Sequence, residues 1–170
     1  YGRVLDGLGR DLAQPDQKHL GALSFDSDAM QVSRKAPLAT ERPTVEQQFL
    51  TGVRVLDGLI SLGYGQRVGI FAPPGCGKST LMAQIVRGAQ VDAVVFGLVG
   101  ERGREVREFI EHDLGPEGMK RSVVVCVTSD QSPLLRMRGA YVATAVAEYF
   151  SSMGKNVLLM MDSVTRFAMA

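Results

Sequence analysis

The chain is short of cysteine, of net charge and of long apolar runs, and each shortage removes a class of protein. Its two cysteines, Cys76 and Cys126, do not make the disulfide framework of a small secreted domain. Cys76 lies in a glycine-rich loop, where a free thiol fits a reducing compartment. Cys126 lies in an apolar run and reads as a small buried hydrophobe. Both favour the cytoplasm. The formal net charge is +1, which gives no electrostatic footprint for nucleic acid or an acidic membrane surface. Apolar runs such as Val94–Val99 are far too short to span a bilayer, and no stretch reads as a signal peptide. The two histidines, His19 and His112, lack partners at metal-ligand spacing and read as surface residues. Lys120, Arg121, Arg136 and Arg138 make a candidate basic patch, but no aromatic residues interleave with them to stack on bases.

What remains is the composition of an ordinary globular domain, 45% hydrophobic and 22% charged over 170 residues. That length buries a real core. The chain begins at Tyr1 and stops at Ala170 just inside an apparent helix, so it reads as an internal piece of a longer protein. Val4 to Arg10, with its Asp6-Gly7 pair, reads as a strand ending in a turn. Residues 13–44 are polar, carry Pro15, Pro37 and Pro43, and hold no sustained period. They read as a linker, extended around Arg34 to Leu38.

From about residue 45 the pattern becomes regular. Arg67–Ala72 reads as a strand. A helix follows with Leu81, Met82, Ile85, Val86 and Ala89 on one face. Val94–Val99 is a second strand. After Gly103 comes a helix with Val106, Phe109, Ile110 and Leu114 inward and charges of alternating sign outward. Ser122–Thr128 is a third strand. Ser132 and Pro133 open a long helix as N-cap and first residue, with Val142, Ala145, Val146, Tyr149 and Met153 as its inner stripe and Gly154 at its end. Asn156–Asp162 is a fourth strand. Apolar strands alternating with amphipathic helices predict an α/β fold: a parallel sheet with helices on both faces and ligands at the C-terminal strand edge. The loops at 72–78, 100–103, 128–132 and 162–166 all open there.

Ala72-Pro73-Pro74-Gly75-Cys76-Gly77-Lys78-Ser79 is a P-loop with Ala in place of the usual first Gly. Gly75 and Gly77 let the backbone N–H groups of Pro74–Ser79's loop curl toward phosphate oxygens. The helix that starts near Lys78 points its positive end at the same anion. Lys78 would reach the β- and γ-phosphates and Ser79 would ligate Mg²⁺. Thr80 is a second hydroxyl, but spacing after Lys78 favours Ser79. ATP and Mg²⁺ are therefore the expected ligands. Val157–Asp162 is an apolar strand ending in a carboxylate, the Walker-B arrangement, with Asp162 expected to hold Mg²⁺ through water. Glu101 follows the second strand on the edge where a γ-phosphate must lie. It reads either as the base that orients and deprotonates the attacking water or as a solvated loop glutamate. Arg102 reads as a stabiliser of phosphoryl charge or as a salt-bridge partner of a nearby Glu. Arg166, four residues after Asp162, reads as a phosphate ligand or as a helix-surface charge.

At this point the residues resemble a family. Gly65–Ala72 running into the P-loop, Phe96–Val106, Thr128–Ser132, Ala143–Phe150 and Met161–Ala168 are similar to the catalytic ATPase of type III protein secretion, in its flagellar and virulence-injectisome forms. The resemblance covers essentially the whole chain. It implies a P-loop (RecA-like) core shared with the catalytic subunit of rotary ATP synthases. It also implies 1–20 as the end of an N-terminal β-barrel domain, 21–45 as linker and 46–170 as ATPase domain. By residue matching, Glu101 becomes the general base, Lys78 and Ser79 serve phosphate and Mg²⁺, Asp162 is the Walker-B acid, and Arg102 and Arg166 line the γ-phosphate pocket. The family works as a homohexamer with sites between subunits, in the cytoplasm beneath an inner-membrane export gate. Its partners are a peripheral-stalk regulator, a central-stalk protein and chaperone–substrate complexes. The arginine finger and adenine pocket lie outside these residues. Two other readings share the core. A hexameric nucleic-acid translocase would need basic or aromatic pore loops, which the sequence does not show. A non-catalytic regulatory subunit is disfavoured by the carboxylate at Glu101.

Overall fold

A computed structural model describes residues 1–13, 31–73 and 75–170. Pro74, Pro15, His19 and the linker stretch 21–30 lie outside the described residues. Four strands form one sheet in the order β1-β5-β4-β6: β1 (Arg3–Leu5), β4 (Ala93–Glu101), β5 (Ser122–Thr128) and β6 (Val157–Asp162). Every pairing in it is parallel. A small antiparallel pair, β2 (Gln48–Phe49) and β3 (Leu62–Gly63), lies apart from it.

The sheet is parallel because its central strands are apolar on both sides. All of β4 but Glu101, and all of β5 but Thr128, is buried. Alternate residues of β4 feed two cores. Val94, Phe96 and Leu98 pack with Met82, Ile85 and Val86 of helix α1 (Lys78–Gly88), and with Val106 of α2 (Gly103–Glu108). Val95, on the other face, packs with Val125 and with Val142, Ala143 and Ala147 of α4 (Pro133–Ser152). The two short helices α3 (Gly115–Met119) and α5 (Val164–Ala168) complete the set. Phe96 is fully buried and meets Phe109 edge to face, ring centroids 5.0 Å apart.

Several expectations change. Arg67–Ala72 is not a strand of the sheet. It has no ladder partner among the described residues, and Phe71 is 96% exposed. Among the described residues the sheet ends at β6, which pairs with β4. The helix after Gly103 is not uniform either. It turns into a π-helix over Phe109–Leu114, which keeps Phe109 and Leu114 buried on one side. In α4 the buried stripe is Gly139, Ala140, Val142, Ala143, Ala145 and Ala147, while Tyr149 and Met153 are exposed. Small residues face the sheet because α4 lies close on it: a Cβ on Gly97 would sit 3.1 Å from that of Ala143. Of residues 1–20, expected as a barrel's end, 14–20 lie outside the described residues. Arg3–Leu5 pairs with Val123–Val125 as the outer strand of this sheet, and the turn after it is held by Asp6, which accepts from the Leu8 and Arg10 N–H groups.

Candidate active site

The C-terminal ends of β4 and β6 and the loop into α1 meet at one edge. Gly75 and Gly77 both have φ of +82°. A Cβ at either would touch nothing within 4 Å, so it is backbone conformation, not space, that calls for glycine there. Gly77 is the N-cap of α1. No side chain caps this end and no acidic residue occupies its first turn, so no side-chain cap competes there with an anion for the helix N–H groups. Lys78 is the first helical residue, half-buried; Ser79 and Thr80 follow, and with Cys76 they are exposed.

Lys78 Nζ donates to Asp162 Oδ1 across the sheet edge. Asp162 is the last residue of β6 and is buried, which calls for such a partner. The Asp162–Ser163 peptide is cis. Ser163 Oγ then caps α5 by accepting from the Arg166 N–H at 3.2 Å.

Glu101 is aimed by a bulge. Val99 pairs with Val127 and Glu101 with Thr128, leaving Gly100 extra, at φ +76°. The Gly100 carbonyl accepts from Arg166 Nη1, and the same Nη1 lies 3.2 Å from Glu101 Oε2. Arg166 is thus no surface charge: it clamps the bulge and pairs with Glu101. Arg102 is turned outward, 3.8 Å from Glu105 Oε1, and its side chain is 63% exposed.

Burial, first, pushes the Glu101 carboxyl above the ordinary glutamate range. A hydrogen bond with Glu105 and the charge of Asp162 add to this, against Arg166 and Lys78. Glu105 moves the opposite way because it accepts that bond. Of the two carboxyls, Glu101 thus has the higher proton affinity. A cleft of about 250 Å³ brings Ser79, Glu101, Glu105 and Asp162 together against Leu98, Val106 and Phe109. Its polar donors are hydroxyl and carboxylate oxygens, which suits Mg²⁺. That ion keeps most of its waters and needs one or two protein ligands plus phosphate.

The candidate site residues Lys78, Ser79, Glu101, Asp162 and Arg166 are thus brought to one edge. Thr80 and Cys76 do not line the cleft, and Pro74 is outside the described residues. Sequence reading missed Glu105, taken as one of a solvated row. Its signal is an acid in the first turn of α2, directly after Glu101. The candidate basic patch does not hold together. Arg121 caps the end of α1, donating to the Val86 and Ala89 carbonyls. Lys120 pairs with Glu117, and Arg136 packs beside Gly100.

This arrangement has relatives. Residues 52–170 match the model of the ATP synthase alpha/beta family, nucleotide-binding domain. The chain is 55% identical over 169 residues to the type 3 secretion system ATPase of Xanthomonas euvesicatoria, covering 99% of this chain and 37% of that protein. It is 52% identical over 169 residues to the flagellum-specific ATP synthase of Treponema pallidum, covering 99% of this chain and 36% of that protein. Among solved structures it is similar to the assembled ATPase EscN in complex with its central stalk EscO, from the type III secretion system of enteropathogenic E. coli. There the TM-score is 0.82 and the identity 44%, over 99% of this chain and 40% of that one. The chain spans little more than a third of the length of the curated relatives it matches. Its P-loop and parallel sheet, with Lys78 and Asp162 joined across the strand ends, are those of a shared core: the chain belongs to the ATP synthase alpha/beta family, as its nucleotide-binding domain.

Proposed function

We propose that this chain is the ATP-hydrolysing core of a type III protein export apparatus, and that its cleft is the catalytic site. One observation carries the catalytic reading. Two ion pairs, Lys78–Asp162 and Arg166–Glu101, stand at the open end of the P-loop helix, near enough that the charges of Asp162 and Lys78 act on Glu101.

In this reading the triphosphate of ATP enters against the N–H groups of 75–79. Lys78 leaves Asp162 for the β- and γ-phosphates. Ser79 and Asp162 hold Mg²⁺, which when bound offsets the charge of the phosphates. Glu101, at the strand tip and away from the P-loop backbone, takes the proton of the attacking water. Its raised proton affinity brings it nearer the working pH of a base, and such a base contributes roughly a hundred- to ten-thousandfold. Arg166, and Arg102 once it turns inward from Glu105, bind the charge that builds on the transferring phosphoryl group.

The rest of the assignment extends the family resemblance; of the partners, only a central stalk is named with a relative, the assembled EscN. We place the protein in a homohexamer turning with a central-stalk protein, held by a peripheral-stalk regulator and acting on chaperone–substrate complexes at the inner membrane's cytoplasmic face. No helix among the described residues is long and apolar enough to cross a membrane. Nucleic acid is not a partner in this reading, because the basic residues that would bind it are dispersed into helix capping and packing.

The test is Glu101→Gln in the full-length protein. Mg-ATP binding stays within a few-fold of wild type while turnover falls at least a hundredfold. Wild type that binds Mg-ATP without ever turning it over would sink the catalytic reading and leave a regulatory nucleotide site.

A further inference from the structure

Arg136 stands next to the site with one N–H unspoken for. It lies in the first turn of α4, which starts at the same sheet edge as the cleft. Its Cδ is 3.6 Å from the point where a Cβ on Gly100 would stand, and Arg166 Cδ is 3.0 Å from that point. Two arginine stems therefore converge on the bulged residue that aims Glu101. Arg166 is engaged there through Nη1, which donates to the Gly100 carbonyl and pairs with Glu101. Arg136 is not: its Nε is buried and, among the described residues, has no hydrogen-bond partner.

A buried donor without an acceptor is unfavourable and uncommon in folded proteins. On the bulge that the Arg136 stem packs against, the Gly100 carbonyl accepts from Arg166. That engagement cannot persist through the reaction set out above, because Arg166 is needed at the phosphoryl group. When it turns away, the Gly100 carbonyl and the bulge lose their donor.

We propose that Arg136 is a positioning residue for Glu101: it takes the Gly100 carbonyl when Arg166 moves to phosphate, so the bulge keeps its shape and the carboxylate its aim. This rests on the catalytic reading of Glu101. Arg136 touches neither nucleotide nor water in this scheme and acts only through Gly100. The two guanidinium groups alternate on one acceptor, Arg166 in the ligand-free state and Arg136 in the loaded one.

Two substitutions in the full-length protein test it. Arg136→Met keeps the packed stem and removes every donor. Arg136→Lys keeps the charge but puts a methylene where Nε stands. Steady-state turnover, binding of a non-hydrolysable Mg-ATP analogue and thermal midpoint are measured for both. Misaiming the base lowers kcat by about ten- to a hundredfold in Arg136→Met, with analogue affinity within about twofold of wild type and the midpoint little changed. Arg136→Lys shows the same split, and is read alone if Arg136→Met does not fold. Wild-type kcat in a folded variant overturns the inference. So does a loss that raising the protein concentration restores, since Arg136 would then serve a subunit contact. Failure of Glu101→Gln to stop turnover is a separate result, which removes the catalytic reading beneath the proposal.

Discussion

Glu101 and Glu105 differ in proton affinity because Glu101 is the less exposed of the two. Burial raises the Glu101 carboxyl, and the bond to Glu105 raises it further while lowering Glu105. A base works deprotonated, so a raised value moves the loss of activity to higher pH than a free glutamate would give. The acid limb of kcat/KM should therefore lie above the ordinary glutamate range. Glu105→Gln should move it down, but only part of the way, since burial is the larger cause. A limb that stays put in Glu105→Gln would show that Glu105 does not raise Glu101 in the working enzyme. Lys78 gives a second prediction at this scale. In the ligand-free state it is held by Asp162, which competes with phosphate for its charge. Asp162→Asn should thus tighten ATP binding measured without Mg²⁺, and shrink the gain that Mg²⁺ brings, because it removes the competitor and a metal ligand together. Titrations with and without the metal read this directly. Weaker metal-free binding in Asp162→Asn would contradict it.

At the scale of elements, the end of α1 shows how close packing can reverse a propensity. Gly88 is the last residue of α1, and glycine in a helix is ordinarily worse than alanine by about 1 kcal/mol. Here a Cβ on Gly88 would lie 2.5 Å from the Thr51 carbonyl and 2.8 Å from Gly52 Cα. Thr51 cannot yield easily, because Asp57 accepts from its N–H and its hydroxyl and from the Gly52 N–H. Gly88→Ala should therefore destabilise the fold, by about 1–3 kcal/mol, and a denaturant midpoint at or above wild type would refute it. The central strands were legible beforehand, because β4 and β5 are apolar on both faces and their period leaves no other choice. The Lys78, Asp162 and Glu101 positions were legible because each closes or opens an element at the strand edge. Arg67–Ala72 was misread because an apolar run does not say whether a neighbour will pair with it. The α4 stripe holds at Val142, Ala145 and Val146 and fails at Tyr149 and Met153, because a helix lying close on a sheet turns small residues such as Gly139, Ala140 and Ala143 inward. Glu105 and Arg136 were missed because their roles arise only when the Gly100 bulge brings α2, α4 and α5 around one carboxylate.

At the scale of the whole molecule, the cleft is open on one side. Arg102 points to solvent, the Arg166 side chain is 40% exposed, and Ser79 and Thr80 lie at the surface. Phosphoryl transfer to water is favoured in a site that excludes all water but the attacking one. A single copy of this chain does not do so. The run 67–73 adds exposed apolar surface beside the P-loop, with Val68 and Phe71 uncovered, and exposed apolar surface of this kind marks contact with further chain or with a partner. The same family's EscN is known in an assembled form with a central stalk. A second subunit closing the open side would turn Arg102 inward from Glu105 and complete the site. The specific ATPase rate of the full-length protein should then rise with protein concentration, and rise in step with the fraction assembled by light scattering. Arg102→Ala should flatten that rise while leaving assembly intact, since the residue would lie at the closed site and not hold the contact. A specific rate that stays constant down to concentrations where scattering sees only monomers would mean that one chain closes its own site, and the place to look would then be the 67–73 run folding over the phosphates.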